Sequence, residues 1–369
     1  MKKTDLRLVV LNSMEKRGLD IEKEIQKIKK IDEKIIVPIK QPRFGNGEGK
    51  IEIGESVRGK DVYILSDVAN YSITYKMPNG NINHYSPDDH FKDIERSILA
   101  MRNHAKRITV VTPLLYSSRQ HRRKSRESLD CANALQELNS FYGVHDIVTI
   151  DVHDPNITNA LPLNSFENIY PTGLILKQFL KKEINDIDIN NLTIISPDTG
   201  AVERAKFYAN VFKSPLGIFY KQRDYTNVVD GKNVIVSHDY AGPDVKGKDV
   251  IVVDDMISSG DSSLDVAEQL NKMGVKNVYF IVTFPLFING VSNFEKEYKE
   301  HKFKKVYTTN FIYIPEEFQK CEWLEVVNGN NLLARVINTL NNEDSIAPLL
   351  DEKSDVATFV EKFKEKNKK

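Results

Sequence analysis

The chain has 369 residues, and its 52 Lys and Arg are balanced by 52 Asp and Glu. A formal net charge of zero excludes nucleic acid as a partner selected by overall basicity. With 40% hydrophobic residues and no apolar run near the roughly 18 that a membrane span needs, a cytoplasmic protein with room for two cored domains is expected, with no membrane partner.

The residues after Met1 form too short an apolar stretch for a signal peptide. Residues 13–30 read as an amphipathic helix with Leu19, Ile21, Ile25 and Ile28 on one side. Beyond Ile51, strand-like apolar runs alternate with helical stretches. The runs are Val62–Leu65, Ile108–Thr112, Ile147–Ile150, Leu192–Ile195, Leu216–Tyr220, Val250–Val253 and Val278–Thr283. Helices are expected at 92–105, 127–141, 171–183, 201–212 and 263–273. The alternation defines an α/β chain of mainly parallel sheets flanked by helices. Cys131 and Cys321 are too few and too distant for a disulfide framework or a zinc cluster, so reduced, mostly buried thiols are expected.

Gly59-Lys60-Asp61 and Gly247-Lys248-Asp249 each feed an apolar strand, which hints at two copies of one α/β unit. A boundary near 165–172 gives a first domain of 1–168, a second of 169–341 and a Lys-rich tail of 342–369, either one exposed helix or loose chain. Gly54–Lys60 and Gly242–Lys248 fit part of a P-loop pattern. Asp61 and Asp249 stand where its hydroxyl belongs, and both segments lead into strands instead of helices, so both are rejected.

The most informative segment runs from Val250 to Ser262. A buried strand ends in Asp254 and Asp255, passes through Ser258, Ser259, Gly260, Asp261 and Ser262, and enters a helix. Such a loop lies at the carboxyl end of a parallel strand, where open α/β sheets bind ligands. Its amides and the helix dipole attract a phosphate, and small residues let the backbone approach closely. Asp254 and Asp255 suit the hydroxyls of a sugar carrying that phosphate. His153 and Asp198 each follow a strand, a placement that fits a magnesium or phosphate site. Arg119, Arg122, Arg123, Lys124 and Arg126 crowd one stretch after a strand, which suits a nucleoside triphosphate better than a merely solvated run. Lys221 and Arg223 form a second cationic spot.

In this order the segments resemble the ribose-phosphate diphosphokinase (phosphoribosyl pyrophosphate synthetase) family, from roughly Phe44 to Leu340. The resemblance implies two tandem phosphoribosyltransferase-type domains, ATP and ribose 5-phosphate as substrates, Mg2+ as cofactor, and a homo-oligomer (dimer or hexamer) with ATP bound where domains and neighbouring subunits meet. It implies ATP binding by Phe44, Asn46 and Glu48, by Arg119, Gln120 and Arg122, and by His153. His153 and Asp198 would hold the metal, Lys221 and Arg223 would be catalytic, and the loop 254–262 would take ribose 5-phosphate. Glu203 and Arg204 belong to the helix signature after Asp198.

Departures are local. Asn46 and His121 stand where the family carries Asp, and Gln222 replaces a middle Arg. Asp261 puts a negative charge beside a phosphate dianion. Like charges near 4 Å repel by about 1 kcal/mol even in water, so Asp261 is expected to point outward or cap the helix. A phosphoribosyltransferase and a non-catalytic regulatory subunit of a synthetase are the competing readings.

Overall fold

The computed structural model describes residues 4–101, 104–123, 125–163, 165–183, 185–229, 232–350 and 356–361, with the side chains of 79, 221–238 and 350 outside that set. The chain forms two compact units. The first contains Met1–Pro171, Asn310–Tyr313 and Asn328–Leu350; the second contains Thr172–Thr309, Ile314–Val327 and Asp351–Lys369.

The first unit is built on a five-stranded sheet in simple sequence order: β1 (Leu6–Val10), β2 (Asp61–Leu65), β3 (Arg107–Val111), β4 (Asp146–Ile150) and β5 (Ser165–Ile169). All neighbours pair in parallel. Every residue of β1, β2 and β4 is buried, as expected when helices cover both faces. β1 was not among the sequence-predicted strands because Arg7 interrupts its apolar run. That charge is tolerated through an ion pair with Glu33 at 2.8 Å.

The first helix, α1 (Glu15–Lys29), buries Gly18, Ile21, Glu22 and Ile25. The expected apolar side is therefore corrected: Leu19 and Ile28 are 47% and 37% exposed. Two contacts set the helix rotation. Gly18 has no Cβ to collide with Val10, whose Cγ1 would lie 2.4 Å away. The Glu22 carboxylate accepts the amides of Ile35 and Ile36 at 2.7 and 3.0 Å.

Helix α1 packs against the C-terminal helix Asn330–Asn341. The same helix ties into β2 and β3: Arg107 donates to the Leu340 carbonyl and Asn341 to Asp61, both at 2.9 Å. The two compact units thus differ from the division into 1–168 and 169–341 in grouping Asn310–Tyr313 and Asn328–Leu350 with the N-terminal segment. The tail is not uniformly loose either: residues 356–361 are helical, and Val356 and Val360 enter the second unit's core beside Phe179 and Phe212.

The second unit carries a seven-stranded sheet. Its spatial order is β8 (Lys232–Ala241), β7 (Leu216–Val229), β6 (Leu192–Ser196), β9 (Asp249–Ile257), β10 (Asn277–Pro285), β11 (Lys305–Thr309) and β12 (Leu324–Val327). Only the β7–β8 pair among these is antiparallel. From β6 the chain steps to one side for β7 and β8, then crosses to the other side for β9. Strand order therefore reverses between β6 and β9, which opens a ligand crevice at their carboxyl ends.

The two Gly-Lys-Asp segments are structurally equivalent turns. Gly59 and Gly247 both take φ +70. The following Lys amides donate to Val57 and Val245 at 3.0 and 3.1 Å. Asp61 and Asp249 then open β2 and β9 as buried side chains. These are strand-entry turns, which accounts for the P-loop mimicry.

Asp67 anchors the segment Asn310–Tyr313 within the first unit. It pairs with Arg17 at 2.7 Å, accepts the Tyr313 amide at 2.6 Å, and is fully buried. Arg17 also donates to the carbonyls of Asn310 and Phe311. Removing one partner of a buried pair leaves an uncompensated charge, which costs about 3–5 kcal/mol. Asp67→Ala should lower stability by that amount in urea titration; an unshifted midpoint would show the pair to be dispensable.

Candidate active site

In the second unit β6 and β9 pair with Ile195 beside Val252. Asp198 and Asp255 each lie three residues further on, Asp198 past the end of β6 and Asp255 still inside β9. That strand runs to Ile257 instead of ending at the two acids as the sequence suggests. Asp255 is 3% exposed and Asp254 half-buried. The Asp254 carboxyl is pushed well above the usual carboxylate range, first by burial, then by Asp255 and Asp198, with Arg204 opposing the shift. Asp254 Oδ1 also accepts the amide of Asp255 at 2.8 Å. Asp198 turns Oδ1 onto the amides of Gly200 and Ala201 at 2.8 and 3.1 Å, so it shapes the entry to α5 (Val202–Phe212). Arg204 lies one turn into that helix, and its influence on Asp254 was not foreseen from sequence. Glu203 faces solvent.

The loop after β9 ends at Gly260, the N-cap of α6 (Asp261–Lys272). Gly260 has φ +93, and a Cβ there would stand 2.3 Å from the Phe294 ring. Glycine is thus required by both conformation and packing. The residues Ser258 and Ser259 are half-buried, and Asp261 and Ser262 are exposed. The first amides of a helix have no carbonyl one turn back, so they face outward as anion donors. Asp261 is the first helical residue and is exposed.

Lys221 and Arg223 were expected just beyond the end of a strand. They instead lie within β7, which continues to Val229 because β8 pairs with it, Lys221 opposite His238 and Arg223 opposite Ile235. Their side chains lie outside the described set.

In the first unit, the loop carrying Arg119, Gln120 and Arg122 follows β3, and the loop carrying His153 follows β4. All four residues are exposed. His121 joins the loops: its Nε2 lies 3.2 Å from Asp154, and its ring meets that of His153 edge-on at 5.5 Å. His121 therefore fills the family's Asp position with a contact to the neighbouring loop. Lys124, in the same cationic stretch, lies outside the described residues. Phe44, Asn46 and Glu48 sit on a separate tight turn, with Phe44 52% exposed. Glu48 donates its amide to Asn46 Oδ1 at 3.2 Å, which turns that oxygen inward. Asn46 and Glu48 border a cavity of about 650 Å³ that Asp88, Lys92, Tyr116 and Glu137 also line.

His153 belongs to the first unit and Asp198 to the second. Among the described residues, no three His, Cys, Asp or Glu side chains stand together as a metal cage. A sparse set of carboxylates nonetheless suits a hard divalent cation of the kind that draws most of its ligands from water and ligand oxygens. Cys131 and Cys321 are free, with burial raising their thiols to about 12 and about 11 respectively, so neither is a ready nucleophile.

A sheet whose strand order reverses beside a small-residue loop, with paired acids on the strand before it, defines the phosphoribosyltransferase class. A family model described as a phosphoribosyl transferase domain matches residues 164–324, and one described as the N-terminal domain of ribose phosphate pyrophosphokinase matches 9–141. Ribose-phosphate pyrophosphokinase of Haemophilus influenzae is 27% identical over 329 residues, 88% of this chain and 95% of that protein. The enzyme of the same name from Agrobacterium fabrum is 29% identical over 311 residues, 84% of this chain and 90% of its own. Phosphoribosylpyrophosphate synthetase from Mycobacterium smegmatis shares the fold, with a TM-score of 0.73 at 23% identity over 92% of this chain and 100% of its own. The chain belongs to the ribose-phosphate pyrophosphokinase family.

A carboxyl group whose native pKa is raised binds its proton more tightly in the folded state. Its contribution to stability is complete below the unfolded value and is lost as pH rises toward the raised one. Asp254→Asn removes the charge that must be buried above that window. The variant should unfold at a higher temperature at pH 7, by about 2–4 °C for each ~1 kcal/mol relieved, and show a flatter dependence between pH 4 and 8. Thermal scans of both proteins across that range make the comparison; identical profiles would contradict it.

Proposed function

We propose that the chain transfers the β,γ-diphosphoryl group of ATP to the C1 hydroxyl of ribose 5-phosphate, giving phosphoribosyl pyrophosphate and AMP. The observation that carries this reading is the crevice between β6 and β9, where acidic side chains and helix-terminal amides share one sheet edge. The amides of 258–262 take the 5-phosphate, with the α6 dipole behind them. Asp254 and Asp255 accept hydrogen bonds from ribose hydroxyls, and a bound sugar relieves the repulsion between them. Gly260 keeps the loop open to close backbone approach.

The first unit supplies nucleotide recognition: Phe44, Asn46 and Glu48 for the base, Arg119, Gln120, Arg122 and His153 for the phosphates. The C1 oxygen attacks the β-phosphorus, its proton is lost, and the bond from that phosphorus to the bridging oxygen of AMP breaks. Phosphoryl-type transfers depend on alignment and charge neutralisation. Lys221 and Arg223 stabilise the charge that builds on bridging and non-bridging oxygens. His153 and Asp198 would hold Mg2+, which supplies further neutralisation of the phosphate oxygens when bound. Asp261 leaves the pocket clear by facing solvent.

The same reading makes the protein a cytoplasmic homo-oligomer, dimer or hexamer, that engages neither nucleic acid nor membrane. No helix among the described residues is long and apolar enough to cross a membrane.

Incubation with MgATP and ribose 5-phosphate should release AMP and phosphoribosyl pyrophosphate in equal amounts. A phosphoribosyltransferase or a regulatory subunit would release none. Lys221→Ala should lower turnover by about 100- to 1000-fold, the usual loss for one preorganised donor. Wild-type turnover in that variant would remove Lys221 from the mechanism.

A further inference from the structure

The turn Phe44–Glu48 is closed by its own backbone: Phe44 donates to the Glu48 carbonyl and Gly47 to that of Phe44, both at 2.8 Å. Its base is held from outside by one helix, α2 (Pro87–Met101). Asp89, Asp93 and Arg96 fall at i, i+4 and i+7, hence on one face. Asp93 is fully buried and receives Gln41 at 2.6 Å, Arg43 at 3.3 Å and Arg96 at 2.5 Å. Arg96 also flanks the exit of the turn, where a Cβ on Gly49 would meet its Nη1 at 2.4 Å.

Arg43 controls the entry. Its side chain is 7% exposed, and its three nitrogens make four directed contacts. Nη1 reaches the Gly47 carbonyl at 3.0 Å and Asp89 at 3.1 Å, and Nε reaches the Tyr85 hydroxyl at 2.8 Å. The guanidinium lies 4.3 Å from the Tyr85 ring centroid and 5.2 Å from that of Tyr75. Tyr75 belongs to the antiparallel arm formed by Thr74–Lys76 and Ile82–His84. That arm closes the remaining side: Met77 Sδ and the Tyr75 ring stand 3.1 and 3.4 Å from where a Gly47 Cβ would project.

We infer that Arg43 is a positioning residue for nucleotide recognition, and that the Tyr75–Met77 arm is the back wall against which it holds the Gly47 peptide. Asn46 and Glu48 flank that peptide, so fixing it fixes both side chains that meet the base. Lys cannot replace Arg here, because an ammonium cannot serve the Gly47 carbonyl, Tyr85 and two carboxylates in a fixed plane. The inference rests on the reading of Phe44–Glu48 as the nucleotide turn.

The test uses the full chain with steady-state kinetics for both substrates. Arg43→Lys keeps the charge beside Asp89 and Asp93, and Tyr75→Leu leaves Arg43 in place. Each should raise KM for ATP by about tenfold or more, as small misplacements of binding groups do, with KM for ribose 5-phosphate within about twofold of wild type. Asn46→Ala serves as the reference. If Asn46→Ala leaves KM for ATP unchanged, the turn does not read the nucleotide and the underlying reading fails. If Asn46→Ala raises it while Arg43→Lys and Tyr75→Leu do not, the turn binds the nucleotide without this brace and the inference is overturned. Equal losses for both substrates in the Arg43 and Tyr75 variants would also overturn it, because they would mark a general structural defect.

Discussion

The constraint on which this molecule turns is the crowding of carboxylates at the end of β9. Asp254 and Asp255 sit side by side in the last part of β9, and Asp198 lies just past the end of β6 at the same level. Burial and mutual repulsion favour a protonated Asp254, with Arg204 as the opposing influence. An arrangement of this kind lowers stability in the free protein and persists because the surrounding sheet is rigid enough to impose it. A polyhydroxylated ligand changes the balance. In the proposed reading, hydroxyl donors of a bound sugar add hydrogen bonds to these carboxyls and offset part of that crowding.

The same economy governs the loop that follows. Gly260 is forced into its conformation by the strand-to-helix turn and into its size by Phe294, whose own ring stacks on Trp323 at 5.3 Å. The backbone of this loop is therefore braced from beneath by an aromatic cluster that includes Phe287 and Phe303. In the proposed reading, a rigid loop and crowded acids would be complementary, one fixing the position of the phosphate and the other favouring the sugar hydroxyls.

Local sequence made much of this legible. Apolar β-branched runs marked β2, β3, β4, β6, β9 and β10 because buried parallel strands read as continuous hydrophobic stretches. Asp254, Asp255 and Gly260 could be placed at the strand-to-helix turn because strand, loop and helix follow within a few residues. Missed features depend on partners remote in sequence. Arg7 hid β1 because its ion-pair partner, Glu33, is a helix away. β11 and β12 mix polar residues into short runs, as in Lys305-Val306-Tyr307-Thr308-Thr309, and carry no strong period. Nothing local in the sequence marks Asp67 or Asp93, although each is the buried hub of a hydrogen-bond network. Periodicity reports which face a residue occupies, not which distant donor will satisfy it.

The connectivity of the first unit has a consequence for biogenesis. Helix Asn330–Asn341, which covers α1, is translated only after nearly all of the second unit. At about 5–20 residues per second, the emerging N-terminal half waits on the order of ten to thirty seconds for its final helix. During that interval the apolar stripe of α1 and the Arg17–Asp67 pair lack the cover they have in the finished protein. Vectorial folding from the N-terminus thus cannot complete this unit until the chain has been made at least as far as Asn341.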